Sequence, residues 1–271
     1  MLHHRFDSGA VDLAAPIAFL LAVVAVLAAD LLDGGTLHAL LNVPAMLLVL
    51  AGTVGATVMS VDRHDLGAVL GSLRRMLFPR GAPRRSLIAD IGALAEVSRR
   101  EGLLRLEDEL GRRDFAPFLA LGLRKIADGA DENRLRSLLG RAMDVEDQRE
   151  LTVAHIFRTA GGFAPTLGII GTVVGLISVL SRLADVQHLA PSIATAFLAT
   201  FWGIASANLF WLPLGFRLEN LERERQEERE MVLEGLIGIA NGRNPRLLQE
   251  ELAVYADAAG GKTGAVPPEA P

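Results

Sequence analysis

The sequence predicts an all-α integral membrane protein, and three observations indicate this fold class. Of the 271 residues, 51% are hydrophobic and 22% are charged, and the two kinds lie in separate blocks. Four apolar blocks reach the length of about 17–25 residues that a helix needs to cross a bilayer. Aromatic residues are scarce at 5%, whereas 27 residues are glycine, a composition typical of membrane helices that pack through small residues.

The four apolar blocks predict four transmembrane helices. They lie at about 13–32, 43–61, 156–180 and 192–216. The segment 62–155 holds 17 of the 27 Lys and Arg residues, and the segment from 217 onward holds 7. Because Lys and Arg are enriched on the cytoplasmic side of membrane proteins, we expect both termini and the large loop in the cytoplasm, and the two short loops outside.

The large loop is expected to form a helical cytoplasmic domain. One helix should follow Ser86, which would cap it, and should bury a face formed by Leu87, Ile91, Leu94 and Ala95. Further helices are expected around 115–126 and 132–150.

A long charged helix is expected after the fourth span. The segment 217–230 is densely charged and should continue the helix of the span into water. We expect the helix to end near Asn241-Gly242, because glycine readily adopts the left-handed conformation that terminates helices, and Pro245 follows.

The chain therefore divides into five predicted regions. They are transmembrane helices 1 and 2 (1–61), the cytoplasmic helical domain (62–155), transmembrane helices 3 and 4 (156–216), a cytoplasmic helical tail (217–257) and a disordered C-terminus (258–271).

Several function classes are disfavoured by composition. The net charge of −5 argues against a nucleic-acid binder. The chain has no cysteine, and its 6 histidines form no HExxH pair, so we expect neither a classical zinc site nor a cofactor. Gly260-Gly261-Lys262-Thr263 looks like the end of a phosphate-binding loop, but position 256 is Ala and no strand is expected before it. The acidic clusters 107–109 and 144–147 are interpreted as solvated helix faces.

The third and fourth spans carry faces of small residues at helical spacing. These faces are formed by Gly168, Gly171, Thr172 and Gly175 in span three, and by Ala196, Ala199, Thr200, Gly203 and Ala207 in span four. Such faces allow close helix packing. Each span also holds one proline, Pro165 or Pro213, which frees backbone carbonyls. From the residues alone, the faces are equally consistent with packing and with a pore lining.

Neither span three nor span four contains an interior Asp or Glu. Asp12, Asp30 and Asp33 lie at the ends of span one. Ion paths through membranes normally include a carboxylate at membrane depth. If the chain conducts ions, a partner must supply that carboxylate.

The order of several motifs resembles the MotA (PomA-like) family of flagellar stator proteins, within the MotA/TolQ/ExbB superfamily. The resemblance covers roughly residues 12–252. It rests on Pro44 and the run 52–57 in span two, 99–107 and Asp128-Gly129 in the loop, 165–175 in span three, Thr200-Phe-Trp-Gly203 with Pro213 in span four, and 235–245 after it.

This resemblance implies a bacterial inner-membrane stator subunit rather than an enzyme. Members of the family look like a ring of five MotA-type subunits around two MotB-type helices, which carry the ion-binding Asp. Pro165 and Pro213 match the family's functional prolines, and Thr172 and Thr200 match residues of the ion path. Lipid would surround the ring, and no nucleic acid is implied.

The resemblance also implies a contact with the rotor protein FliG. Arg99 and Glu107 match the charged pair that makes this contact. Their separation of eight residues is about two helical turns, which predicts that one exposed helix face presents both. As a simple surface ion pair they would contribute only about 0–1 kcal/mol.

Two further readings and the identity of the ion remain open. An ExbB or TolQ homologue would energise outer-membrane processes, but those proteins usually have one span before the large loop, whereas two precede it here. If the chain were a purely structural membrane scaffold, substitutions at Pro165 or Thr200 would affect only assembly. Thr172 is typical of sodium-driven members, yet proton-driven stators are commoner, so the transported ion is H+ or Na+.

Overall fold

The computed structural model describes residues 14–32, 34, 40–77, 83–181 and 186–260, and these are all-helical apart from turns and short connections. The helices are α1 (Ala14–Leu32), α2 (Val43–Met59), α3 (Arg63–Leu77), α4 (Arg84–Glu101), α5 (Arg105–Arg112), α6 (Pro117–Ala127), α7 (Glu132–Ser181), α8 (186–240) and α9 (Pro245–Gly260). The predicted all-α class is confirmed.

The chain forms two compact units. Of the described residues, those within 14–77 and 149–220 form the apolar unit, and those within 83–148 and 221–260 form the charged unit. Helices α7 and α8 each contribute to both units. Helix α3 belongs to the apolar unit, although it lies in the segment 62–155 that the sequence groups with the cytoplasmic domain.

Two helices are long and apolar enough to cross a membrane, Glu132–Ser181 and Leu189–Ala240. They contain the third and fourth predicted spans. The apolar stretches of the other two are shorter, Phe19–Ala29 in α1 and Val43–Met59 in α2, so the first and second spans stay predictions. Asp12 and Asp33, at the ends of span one, lie outside the described residues.

Helix α7 joins two segments that the sequence treats separately. The predicted helix 132–150 and the third span form one helix of 50 residues that continues through Pro165. Such a helix is about 75 Å long at 1.5 Å per residue. A bilayer core is only about 30 Å thick, so a large part of α7 extends beyond the hydrocarbon.

Helix α8 contains a π-helical turn, Ala207–Trp211, immediately before Pro213. The N–H of Leu212 donates to the carbonyl of Ala207, five residues earlier. Such turns insert one extra residue into a helix and often mark functional positions. Pro213 is evident in the sequence, but no local sequence pattern predicts this turn.

The predicted end of α8 is confirmed. The helix stops at Ala240, and Gly242 adopts a positive φ of 65°. The N–H of Gly242 donates to the carbonyl of Ile239 at 3.1 Å, and the N–H of Arg243 to that of Gly238 at 2.9 Å. These two bonds form a Schellman motif, which satisfies the last carbonyls of the helix. Helix α9 then extends to Gly260, and the residues beyond lie outside the described range, so disorder there stays a prediction.

The core of the charged unit is built around α4. Its predicted apolar face is confirmed, because Leu87, Ile91, Leu94 and Ala95 are all at most 3% exposed. They pack against buried residues of α6, α7, α8 and α9. The predicted cap is wrong: the helix begins at Arg84, and the Ser86 hydroxyl lies in the first turn and donates to the carbonyl of Pro83 at 2.7 Å.

One residue of the acidic cluster 144–147 is buried. Asp147 on α7 is 8% exposed and Glu222 on α8 is 2% exposed. Arg229 donates to both carboxylates, at 2.5 Å to Asp147. Burial alone would lower the pKa of Arg229, but Glu222 and then Asp147 raise it above its ordinary value. The interpretation of 144–147 as a solvated face is therefore wrong at Asp147, because α8 covers it.

The buried core of α6 offers a matched test of packing. Leu123 is fully buried in the core cluster, whereas Leu121 on the same helix is 40% exposed. We expect Leu123→Ala to lower the free energy of unfolding by about 2–5 kcal/mol, because it leaves a cavity. Leu121→Ala should lower it by less than about 1 kcal/mol. Thermal unfolding of the full chain in detergent, followed by circular dichroism, measures both. An equal loss of free energy of unfolding in the two variants would contradict the difference in packing between the two faces of α6.

Candidate functional site

The small-residue faces of α7 and α8 pack so closely that the backbones of the two helices are in contact. A methyl group on Gly168 would lie 2.9 Å from the carbonyl oxygen of Ala199, and one on Gly203 would lie 2.7 Å from the carbonyl oxygen of Ala164. One on Gly175 would lie 2.5 Å from Cβ of Ala196. Only glycine fits at such separations, since the two backbones themselves are in contact.

The rest of the two faces follows the same contact line. A methyl group on Gly171 would lie 2.5 Å from Cβ of Ala199 and 2.9 Å from Cδ2 of Leu48 on α2. Ala196, Ala199 and Ala207 are buried at 2% exposure or less. The structure therefore brings together the residues that the sequence assigns to the two faces, and α2 packs beside them.

Thr172 and Thr200 lie opposite each other across this contact, and their hydroxyls are hydrogen-bonded to one another. Thr172 Oγ1 is also 3.2 Å from the carbonyl oxygens of Gly168 and Ala196, and Thr200 Oγ1 is 3.4 Å from that of Gly168. Each hydroxyl has one proton to donate. Two hydroxyl and two carbonyl oxygens thus converge at one point in an otherwise apolar region.

Such an oxygen cluster has two chemical possibilities. Hydroxyl and carbonyl oxygens are ligands for hard cations. In membrane helices, however, threonine commonly bonds the carbonyl four residues earlier, and the bond from Thr172 to Gly168 has this spacing. No Asp or Glu occurs in 156–180 or 192–216, so these two segments place no compensating negative charge beside the cluster.

Pro165 and Pro213 occupy different surroundings. Pro165 is half-buried inside the continuous α7, and Pro213 is exposed directly after the π-helical turn of α8. Each lacks an N–H, so each removes one hydrogen bond from its helix and weakens it locally. The threonine pair lies seven residues beyond Pro165, which is about 10 Å along the helix axis.

Arg99 and Glu107 do not share one helix. The chain turns at Gly102, which has a φ of +89°, so Arg99 ends up in the last turn of α4 and Glu107 in the first turn of α5. The expectation of a single helix face is wrong, because that φ is incompatible with a continuing α-helix. Both side chains are exposed, and within the described residues neither belongs to an ion pair.

The apolar unit contains a polar cluster that the sequence did not predict. Glu150 on α7 is 8% exposed. It accepts a hydrogen bond from the hydroxyl of Ser72 on α3 at 3.0 Å and forms an ion pair with Arg75. A Ser and an Arg three residues apart on one helix are a weak pattern, and only the packing of α3 on α7 reveals their common partner.

Three comparisons with known proteins agree with this architecture. Residues 112–231 match the model of the MotA/TolQ/ExbB proton channel family. The chain is 33% identical over 244 residues to Motility protein A of Bacillus subtilis, covering 89% of this chain and 90% of that protein. It is 29% identical over 224 residues to the chemotaxis protein PomA of Vibrio alginolyticus, covering 82% and 87%.

A solved structure shows the same fold. The flagellar MotAB stator complex of Bacillus subtilis contains a chain that superposes with a TM-score of 0.82 at 31% identity, covering 89% of this chain and 95% of that one.

The helix contact at Gly203 gives a direct test. We expect Gly203→Ala to destabilise the apolar unit by about 1–3 kcal/mol, because the added methyl overpacks a backbone contact. Gly162→Ala is the matched control, since a methyl there meets nothing within 4 Å and should be neutral or slightly stabilising. Thermal stability in detergent and the amount of protein in the membrane measure the effect. Equal thermal stability and equal amounts in the membrane for the two variants would contradict a close backbone contact at Gly203.

Proposed function

The chain belongs to the MotA/TolQ/ExbB proton channel family, and we propose that it works as the ion-conducting stator subunit of a bacterial flagellar motor. The observation that carries this function is its similarity to motility proteins over about nine-tenths of its length, together with the match to a stator complex. As a family member it is an inner-membrane protein. Its termini and its charged unit would lie in the cytoplasm, in keeping with the distribution of Lys and Arg.

The chain would act with a MotB-type partner. Segments 156–180 and 192–216 contain no carboxylate, whereas a proton or sodium path needs one at membrane depth. A ring of five copies around two partner helices would bring each partner Asp beside the face that carries Thr172 and Thr200. The match to a complex of MotA with MotB supports such a partner.

The working cycle would use the weak points of α7 and α8. Binding of an ion neutralises the partner Asp, the ring turns against the central pair, and the ion leaves on the inside. The bends at Pro165 and Pro213 would absorb the accompanying change of shape. Each elementary charge that crosses releases about 2.3 kcal/mol per 100 mV, so one turn requires many ions. No covalent bond is made or broken in this cycle, and no cofactor takes part.

Torque would be transmitted to the rotor through the charged unit. Arg99 and Glu107 lie on two successive helices joined by a short turn, exposed and without an ion pair within the described residues. Charges in this state are free to engage a partner. We assign them to the rotor protein FliG, with Arg99 meeting an acidic group and Glu107 a basic one.

The missing carboxylate predicts dependence on the partner. The full chain reconstituted alone in liposomes should show no proton or sodium flux above background, because its third and fourth spans contain no carboxylate. Co-reconstitution with a MotB-type partner should produce flux, and co-reconstitution with a partner whose Asp is replaced by Asn should not. Ion-sensitive dyes inside the liposomes report the flux. Strong flux from the chain alone would refute the mechanism.

The hydrogen bonds of Thr172 indicate whether protons or sodium ions drive the motor. Its hydroxyl is already engaged by Thr200 and by carbonyls of both helices, so it is poorly placed to replace the water ligands of sodium. We therefore expect protons to drive the motor. Swimming speed at fixed pH should not change when sodium replaces choline, and it should collapse with a protonophore. Speed that rises with sodium and survives the protonophore would make Thr172 and Thr200 sodium ligands.

A further inference from the structure

An open groove of about 690 Å³ runs along the charged unit between α4 and α9. Its floor is made of Ala89, Gly92 and Ala93 on α4. A methyl group on Gly92 would clash with the side-chain amide of Gln249 on α9. The absence of a side chain there makes room for the Gln249 side chain against α4, and the small alanines on either side keep the groove open.

The walls of this groove are basic. Arg99 and Arg100 border it from α4, and Arg246 borders it from the first turn of α9. Arg100 is paired with Glu96 at 2.6 Å. Within the described residues, Arg99 and Arg246 belong to no ion pair, and both are exposed.

Arg246 is held in a defined position. Its backbone N–H donates to Oδ1 of Asn244 at 3.0 Å, and Pro245 fixes the backbone just before it. The neighbouring Arg243, by contrast, reaches Glu251 at 3.1 Å and does not border the groove. The chain therefore neutralises one of these two nearby cations and leaves the groove-facing one available.

We propose that this groove is a two-sided receptor for an acidic segment of the rotor protein, in which Arg99 on α4 and Arg246 on α9 each bind a carboxylate of the same segment. This inference rests on the proposed function and adds the C-terminal helix to the rotor contact. The charge balance supports an acidic occupant, because the groove presents three guanidinium groups and one carboxylate. Arginine also binds carboxylates through two parallel hydrogen bonds, which fixes the orientation of the bound segment.

The test measures binding of purified rotor protein to the complex of this chain with its MotB-type partner in detergent. Arg246→Glu and Arg99→Glu should each weaken binding about tenfold or more, since a like charge then faces the carboxylate. Arg243→Glu, three residues from Arg246 and outside the groove, is the matched control and should change binding by less than about twofold. Thermal unfolding of each complex checks that the variants remain folded. Replacing an acidic residue of the rotor segment by Arg should restore binding to the Arg246→Glu variant.

The outcomes separate this inference from the proposed function. If Arg99→Glu weakens binding and Arg246→Glu does not, the two-sided groove is overturned while the stator function stands. If Arg246→Glu leaves rotor binding intact but abolishes binding to phosphatidylglycerol vesicles, the groove is a lipid site and the inference is also overturned. If cells lacking the chain swim normally, the proposed function itself fails.

Discussion

The backbone contact between α7 and α8 is the constraint on which the apolar unit depends. Gly168 and Gly203 allow the two helices to touch without intervening side chains. At this separation, the Thr172 hydroxyl reaches carbonyls of both helices and the Thr200 hydroxyl reaches the carbonyl of Gly168 on α7, so Thr172 and Thr200 form one cluster rather than two isolated intrahelical bonds. In a hydrocarbon environment, where lipid tails provide little driving force for helix association, close packing and such hydrogen bonds supply much of the attraction.

Ion pairs of buried carboxylates connect α7 to α8 and to α3. In the charged unit, Arg229 on α8 bridges Asp147 on α7 and Glu222 on its own helix. In the apolar unit, Ser72 and Arg75 on α3 bind Glu150 on α7. Buried pairs of this kind add little net stability compared with apolar packing, but the loss of one partner is costly because it leaves a buried charge uncompensated. They therefore favour one arrangement of the helices over its alternatives.

The proposed ion conduction and the proposed rotor binding would place different demands on these helices. The threonine cluster lies in the apolar unit, and the basic groove lies in the charged unit, while α7 and α8 run without interruption through both. A helix that continues through Pro165 or through the π-helical turn before Pro213 is weakened at that point but not broken. Such points allow a limited bend, which suits an element that must move and still transmit force.

The sequence by itself determined the all-α class, the two longest apolar helices, the apolar face of α4 and the end of α8 at Gly242. Each is set by local chemistry: apolar length, helical periodicity, or the ease with which glycine takes a positive φ. The absence of Asp and Glu from segments 156–180 and 192–216, on which the proposed need for a partner carboxylate rests, is also evident from the sequence alone. Only the tertiary structure decided that Asp147 is buried under α8, that Gly102 separates Arg99 from Glu107, and that Arg246 lies on the same groove as Arg99. Those facts depend on which distant helices pack together, and residues such as Asp147 and Arg229, which are far apart in sequence, carry no local sign of their contact.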